Sequence, residues 1–320
     1  MHITIITPAE KHAKVGNRIS AQRWRKLFQS DKHKVCIKTQ YDNSATDLMI
    51  ALHAWRSAKS ICKYKKKYPN GPLIVVIGGT DANTFLNTDP DTTIQSLKAA
   101  DAIVCLHELI GELLPFYLRQ KLYFIPQSAL PAPTPKKMSS RNFNICVIAS
   151  LRKEKDPLRT ALATKLLPES SKIKVTHFGK SISSELQKLA KDETRYNPRY
   201  FWRGEVPQWR VRREYQKSRL MVVSSLQEGG ANVVSEAIAS EIPILASKIS
   251  GNVGLLGEKY PGYFPVRDEN ALSHLMSLAE TQKVYLESLL HHLKGLKGLF
   301  LPRNERRLWK DLIIRITSSK

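Results

Sequence analysis

The richest chemistry in this chain of 320 residues lies in Ser224-Ser-Leu-Gln-Glu-Gly-Gly-Ala-Asn-Val-Val-Ser-Glu-Ala-Ile-Ala239. Gly229 and Gly230 remove side chains where a ligand must approach the backbone. The apolar run before them reads as a strand, and the pattern after them opens a helix. The amides at 231–233 then point out of a helix N-terminus, a seat for phosphate. Glu228 stands in the loop and Glu236 one turn into the helix. Carboxylates are poor partners for phosphate but good acceptors for pairs of sugar hydroxyls. The two features together point to a ligand with both groups, a nucleotide sugar. The plainer alternative is a Gly-rich turn whose Glu236 only complements the helix dipole.

The elements around this loop define the fold class. Ile3–Thr7, Val35–Thr39, Leu48–Leu52, Leu73–Gly78, Ala102–Leu106 and Leu122–Ile125 are short runs, mostly apolar on both faces, as buried parallel strands are. Helix patterns fall at about 18–29, 54–68, 91–100 and 108–120. This βαβ series predicts a doubly wound α/β sheet. Three prolines in Ala129-Leu-Pro-Ala-Pro-Thr-Pro-Lys-Lys137 then suit a stiff, extended linker. A second series follows, with strands at Asn144–Ala149, Lys174–His177, Leu220–Ser224 and Ile242–Ala246. Its helices fall near 156–166, 183–192, 208–217 and 232–240. The tail from about 268 is helical, with breaks expected at Gly295, Gly298 and Pro302. The expected domains are residues 1–138, residues 139–300, and a final helix over 301–320 that packs back toward the first domain. Two Rossmann-like domains of parallel sheet should face a central cleft, with ligands at the carboxyl ends of the strands.

Charge and composition limit the function. The chain holds 51 Lys and Arg against 28 Asp and Glu, a net charge of +23, and is 42% hydrophobic, enough for real cores. The charge invites a nucleic-acid reading. However, residues 1–140 hold 20 basic and 10 acidic residues and the rest 31 and 18, so there is no basic arm. The nearest approaches to a basic–aromatic face are Tyr64-Lys-Lys-Lys-Tyr-Pro69 and the Trp202–Tyr215 stretch, and solvated helix surface accounts for both. No leader, membrane span or Cys-x-x-Cys pair is visible among Cys36, Cys62, Cys105 and Cys146, which suits a reducing cytoplasm. The Gly-x-Gly-x-x-Gly fingerprint of dehydrogenases is missing after the first strand. No aspartate-rich metal motif is present, so no metal or cofactor is expected.

Glu228 and Glu236, separated by seven residues between a strand and a helix, resemble the paired-glutamate motif of glycosyltransferases of the GT-B architecture. That resemblance implies that Glu236 grips the nucleotide ribose. It assigns Glu228, Gly229, Gly230 and Ala231 to the sugar ring, and the Asn232 and Val233 amides to the diphosphate. The family's basic loop corresponds to Ser150-Leu-Arg-Lys-Glu-Lys-Asp-Pro157, where Arg152 and Lys155 would neutralise the leaving diphosphate. The family's usual arginine, five residues before the lysine, is Ser150 here. Arg203-Gly-Glu-Val206, with Gly204 and Val206, corresponds to the base pocket.

The amino-terminal motifs narrow the resemblance. Gly16-Asn-Arg-Ile-Ser-Ala-Gln-Arg-Trp24, Leu52-His-Ala-Trp-Arg-Ser57 and Gly78-Gly-Thr-Asp81 join Ser250-Gly-Asn-Val-Gly-Leu-Leu-Gly257 and Tyr260-Pro-Gly-Tyr-Phe-Pro265. This set looks like the selenosugar synthases of selenoneine biosynthesis. These are similar to sugar transferases but join a sugar from a UDP-sugar (N-acetylglucosamine or glucose) to the selenium of selenophosphate. Asn17, Arg18, His53, Arg56, Thr80 and Asp81 are then the candidates for acceptor binding and orientation, because cationic donors suit selenophosphate oxygens. Anionic selenium hardly needs a general base, so Asp81 reads as an orienter. The plainer account of His53 is a satisfied histidine at a strand end. An ordinary hydroxyl or lipid-linked acceptor is the nearest alternative, and a basic nucleic-acid-binding protein is the alternative of another class.

Overall fold

The computed structural model describes residues 1–10, 16–132 and 138–318. The chain forms two compact units, Met1–Gln127 with Pro302–Lys320, and Ser128–Leu301. Residues 133–137 of the expected linker lie outside the described residues.

In the first unit the strands are β1 (His2–Ile6), β2 (Lys34–Lys38), β3 (Leu48–Leu52), β4 (Leu73–Val76), β5 (Ala102–Cys105) and β6 (Leu122–Phe124). They pair in the order β2-β1-β3-β4-β5-β6, all parallel. Parallel neighbours need crossovers. The helices α1 (Gly16–Ser30), α2 (Ala58–Lys67), α3 (Leu86–Thr88), α4 (Pro90–Ala99) and α5 (Phe116–Arg119) lie in those connections. Alternation along the strands sends Ile3, Ile50, Ile74 and Val104 into one core with Trp24 and Phe28, and Met49, Val75 and Ile103 into another with Tyr64 and Leu97. The order reverses direction between β1 and β3, so the loops after these two strands flank a switch point.

In the second unit the strands are β7 (Phe143–Ile148), β8 (Ile173–Phe178), β9 (Tyr200–Trp202), β10 (Leu220–Val223), β11 (Ile244–Ser247) and β12 (Tyr263–Phe264). Their order is β12-β11-β10-β7-β8-β9, again all parallel. The helices are α6 (Arg159–Lys165), α7 (Ser184–Tyr196), α8 (Gln208–Tyr215), α9 (Asn232–Ala239), α10 (Ser250–Leu256), α11 (Glu269–Thr281) and α12 (Lys283–Leu296). The switch point here lies between β7 and β10.

The last helix, α13 (Pro302–Ser318), belongs to the first unit. Its Trp309 ring lies 4.9 Å from Trp24 and 5.4 Å from Phe28. Its Glu305, fully buried, accepts from the Trp24 indole at 2.7 Å and from Arg23 Nε at 3.1 Å.

Two local expectations change. In place of a helix over 108–120 there is a 3₁₀ turn at Glu108–Leu113 and the short α5, separated by Pro115 in an extended conformation. Proline cannot donate to the preceding turn and disfavours helix before it. Gly295 does not break the tail, since it lies inside α12, and the chain tightens into a 3₁₀ turn only at Lys297–Phe300. Among the described residues no helix is long and apolar enough to cross a membrane, and all four cysteines are free.

Two buried histidines join the cores. His177 Nε2 lies 2.8 Å from the Ala149 carbonyl and Nδ1 2.6 Å from the Tyr200 hydroxyl. Nε2 therefore donates to the carbonyl, and Nδ1 accepts from the tyrosine. Burial lowers the pKa of His177, and that of His107, to about 4. Both are neutral in the fold and protonate more readily when unfolded. Their contribution is complete above the unfolded pKa near 6.5 and is lost as pH falls from 6.5 toward 4. Stability should fall over that window by at most about 1.4 kcal/mol per pH unit per histidine, and His177→Gln should flatten the slope in denaturant titrations. Glu305→Ala leaves the Trp24 indole without its acceptor and should cost about 3 kcal/mol, read as a lower unfolding midpoint.

Candidate functional site

The switch point of the second unit gathers most of the residues singled out from the sequence. The β7 loop turns through a 3₁₀ step at Lys153–Lys155 and a left-handed Asp156 (φ +42°). The β10 loop lies against it, with the Leu226 amide donating to the Glu154 carbonyl at 2.8 Å and Ser224 Oγ to the Asp156 carbonyl at 2.8 Å. These bonds bring Lys155 and Glu228 into a short ion pair, each side chain largely shielded from water. Ser225 Oγ donates to the same Glu228 oxygen at 2.6 Å. Lys155, expected at a diphosphate, and Glu228, expected at a sugar ring, thus meet each other. The pair fixes both side chains at the start of α9.

Backbone requirements explain the glycines. Gly230 has φ +129°, a region that L side chains rarely adopt, and lets the chain turn into Ala231, the residue before α9. A Cβ at Gly251, at the start of α10, would lie 2.4 Å from the Glu228 carbonyl oxygen. Close approach therefore demands glycine there, a requirement with no visible mark in the sequence. Asn232 and Val233 open α9, where amides have no preceding helical carbonyl. Gly229 sits half-buried in the loop.

Glu236 lies on α9 facing the ends of α8. Its Oε2 accepts from the Tyr215 hydroxyl at 2.7 Å and its Oε1 from Gln208 Nε2 at 2.9 Å. Tyr215 is buried, and that burial, reinforced by the nearby Glu236 charge, holds its pKa well above the usual value. Neither Tyr215 nor Gln208 was singled out from the sequence, because only the packing of α8 on α9 pairs them with Glu236. Gly204 (φ +70°) precedes α8, and its carbonyl accepts from the Gly179 amide at 2.9 Å. Val206 is half-buried nearby in the chain, and Arg152 is exposed at the mouth of the 3₁₀ step.

In the first unit, β3 and β4 end at a second constellation. His53 leaves β3 with φ +72°, a left-handed conformation uncommon outside glycine. Asp81, fully buried, holds it there. Its Oδ2 accepts from the Ala54 and Gly78 amides at 2.8 Å each, and its Oδ1 from the Trp55 amide at 3.0 Å. His53 Nδ1 lies 2.6 Å from Oδ1. The Arg56 amide also points at Nδ1, at 3.3 Å, and the shorter contact to a carboxylate sets the tautomer. Nδ1 therefore donates to Asp81, and Nε2 is left as the acceptor, buried and without a hydrogen-bond partner. Thr80 precedes a π-helical turn at Asp81–Phe85, a rare form that recurs at functional sites. Phe85 of that turn stacks on Trp55 at 4.1 Å. Arg18 in the first turn of α1 is 7% exposed, and its Nε has no hydrogen-bond partner. Asn17 beside it is half-buried, and Arg56 is exposed. The structure thus joins His53 to Asp81. His107, after β5, is a further buried histidine with an unpartnered nitrogen, Nδ1. Among the described residues no group of His, Cys, Asp and Glu is placed to hold a metal ion.

Residues 134–291 match the family described as glycosyl transferases group 1. A curated relative, "Glycosyltransferase 1 domain-containing protein 1" of Xenopus tropicalis, is 23% identical over 275 residues, covering 78% of this chain and 80% of its own. Among solved structures, the sucrose-phosphate synthase of Thermosynechococcus elongatus superposes with a TM-score of 0.78 at 14% identity, over 100% of both chains. HepE of Anabaena in complex with UDP gives 0.78 at 12% identity, over 98% of this chain and 99% of its own. The stretch 134–291 thus matches the glycosyl transferases group 1 family, and the chain has the GT-B fold.

Proposed function

We propose that this chain transfers a sugar, N-acetylglucosamine or glucose, from a UDP-sugar to the selenium of selenophosphate. The observation that carries the donor half is Glu228 and Glu236 flanking the start of α9 at the β7/β10 switch point. HepE, of the same fold, is described in complex with UDP and with UDP-glucose. On this reading Glu236 accepts the ribose hydroxyls, and the amides of Asn232 and Val233 receive the diphosphate. Lys155 leaves Glu228 to neutralise charge on the departing UDP, with Arg152 beside it, and Glu228 turns to the sugar hydroxyls.

The acceptor half rests on the first unit. Arg18, buried with an unpartnered Nε, and Arg56 offer cationic donors for the oxygens of a small anion. Selenium attacks the anomeric carbon as the bond from that carbon to the diphosphate oxygen breaks, and UDP leaves with the electron pair. Water then removes the phosphate from selenium.

One observation favours a second reading. His53, oriented by Asp81 through Nδ1 and bare at Nε2, is built like a general base. A hydroxyl acceptor needs a base, whereas anionic selenium does not. The purified chain, given UDP-sugars and either selenophosphate or a mixture of sugar alcohols, should yield a selenium-containing sugar by mass spectrometry. His53→Ala should lower that rate less than tenfold. Product only from hydroxyl acceptors, with a loss of about 100-fold or more in His53→Ala, would install the second reading. Glu236→Ala should weaken UDP binding by about tenfold in titration calorimetry under either acceptor.

A further inference from the structure

The Glu236 carboxylate does not stand alone. Gln208 and Tyr215 are the first and last residues of α8. Seven residues apart, they lie on one face two turns from each other. From there each donates to a different Glu236 oxygen, at 2.9 Å and 2.7 Å. The Tyr215 hydroxyl stays protonated at any ordinary pH, since burial and the adjacent carboxylate both oppose its ionisation. It is therefore a permanent donor. A glutamate side chain free to rotate loses about 1.5–2 kcal/mol of rotamer entropy when a ligand fixes it. Held at both oxygens before any ligand arrives, Glu236 has already met most of that cost. A carboxylate has about four acceptor positions, and these two bonds use one on each oxygen.

We infer that Tyr215 and Gln208 are positioning residues that hold the Glu236 carboxylate in the orientation that reads the 2′- and 3′-hydroxyls of the donor nucleotide, and so make this site discriminate ribose from deoxyribose. The inference rests on the UDP-sugar reading above and adds to it the residues that set the sugar selectivity of the nucleotide. Neither residue touches the reacting atoms. Their effect passes through Glu236 alone.

Titration calorimetry of the full chain with UDP and with 2′-deoxy-UDP tests this. The wild type should bind UDP about tenfold more tightly than 2′-deoxy-UDP, one charge-assisted hydrogen bond's worth. Tyr215→Phe keeps the buried ring and removes only the donor. It should weaken UDP about fivefold to tenfold and 2′-deoxy-UDP much less, collapsing the ratio toward one, because the hydroxyl of residue 215 and the ribose hydroxyl act through the same carboxylate. Gln208→Ala, an exposed change that leaves the core intact, should move the ratio the same way by a smaller factor, and decides the matter if Tyr215→Phe does not fold. Equal weakening of both nucleotides by both variants, or an unchanged ratio, overturns the positioning role while the nucleotide reading stands. A wild type that binds UDP with no preference over 2′-deoxy-UDP also overturns it. A wild type that does not bind UDP at all removes the underlying reading with it.

Discussion

Parallel pairing is the constraint from which the rest of the molecule follows. Every strand in both sheets runs parallel to its neighbours. Each must therefore return over a face of the sheet before the next begins, so that all strands leave at the same edge. The faces become buried, which is why Leu48–Leu52 and Leu220–Val223 are apolar throughout and fully covered. The edge at the carboxyl ends collects the polar residues: His53, Asp81 and His107 in one sheet, Lys155 and Glu228 in the other. Chemistry gathers there because the topology leaves no other place where loops from several strands meet.

Buried charge at these edges is held by donors rather than by the absence of water alone. Asp81 takes three backbone amides and the His53 ring. Such a fully bonded carboxylate can sustain the left-handed backbone of His53, which by itself costs about 1–3 kcal/mol. Glu228 is held by Lys155 and Ser225, and its backbone is pinned by the missing side chain of Gly251. Glu236 is held by α8. In each case the carboxylate is oriented by a different element from the one that carries it. A second element restricts the side chain more than its own helix or loop can.

Much of this was legible before any coordinates. The periodicity placed most of the strands and the long helices, because buried parallel strands and amphipathic helices have opposite patterns. Two strands escaped notice. Tyr200–Trp202 and Tyr263–Phe264 are three and two residues long, too short to show a period. The Pro115 break and the intact helix at Gly295 show local signals outweighed or reinforced by packing. In the site, the Gly-Gly turn and its two glutamates announced themselves by type and spacing. The pairing of Lys155 with Glu228, of His53 with Asp81, and of Tyr215 and Gln208 with Glu236 joins residues 73, 28, 21 and 28 positions apart. Only folding sets such contacts, and no local pattern encodes them.

The placement of α13 has a consequence for how the chain is made. The first unit is interrupted in sequence, since residues 128–301 intervene between its body and its last helix. On a ribosome adding roughly 5–20 residues per second, Trp24 and Phe28 wait roughly fifteen to fifty-five seconds for Trp309 to cover them. The second unit, unbroken in sequence, can close while the first is still open. The unit that begins to emerge first is therefore the one completed last, and until then its open seam is the surface that chaperones and stray neighbours meet.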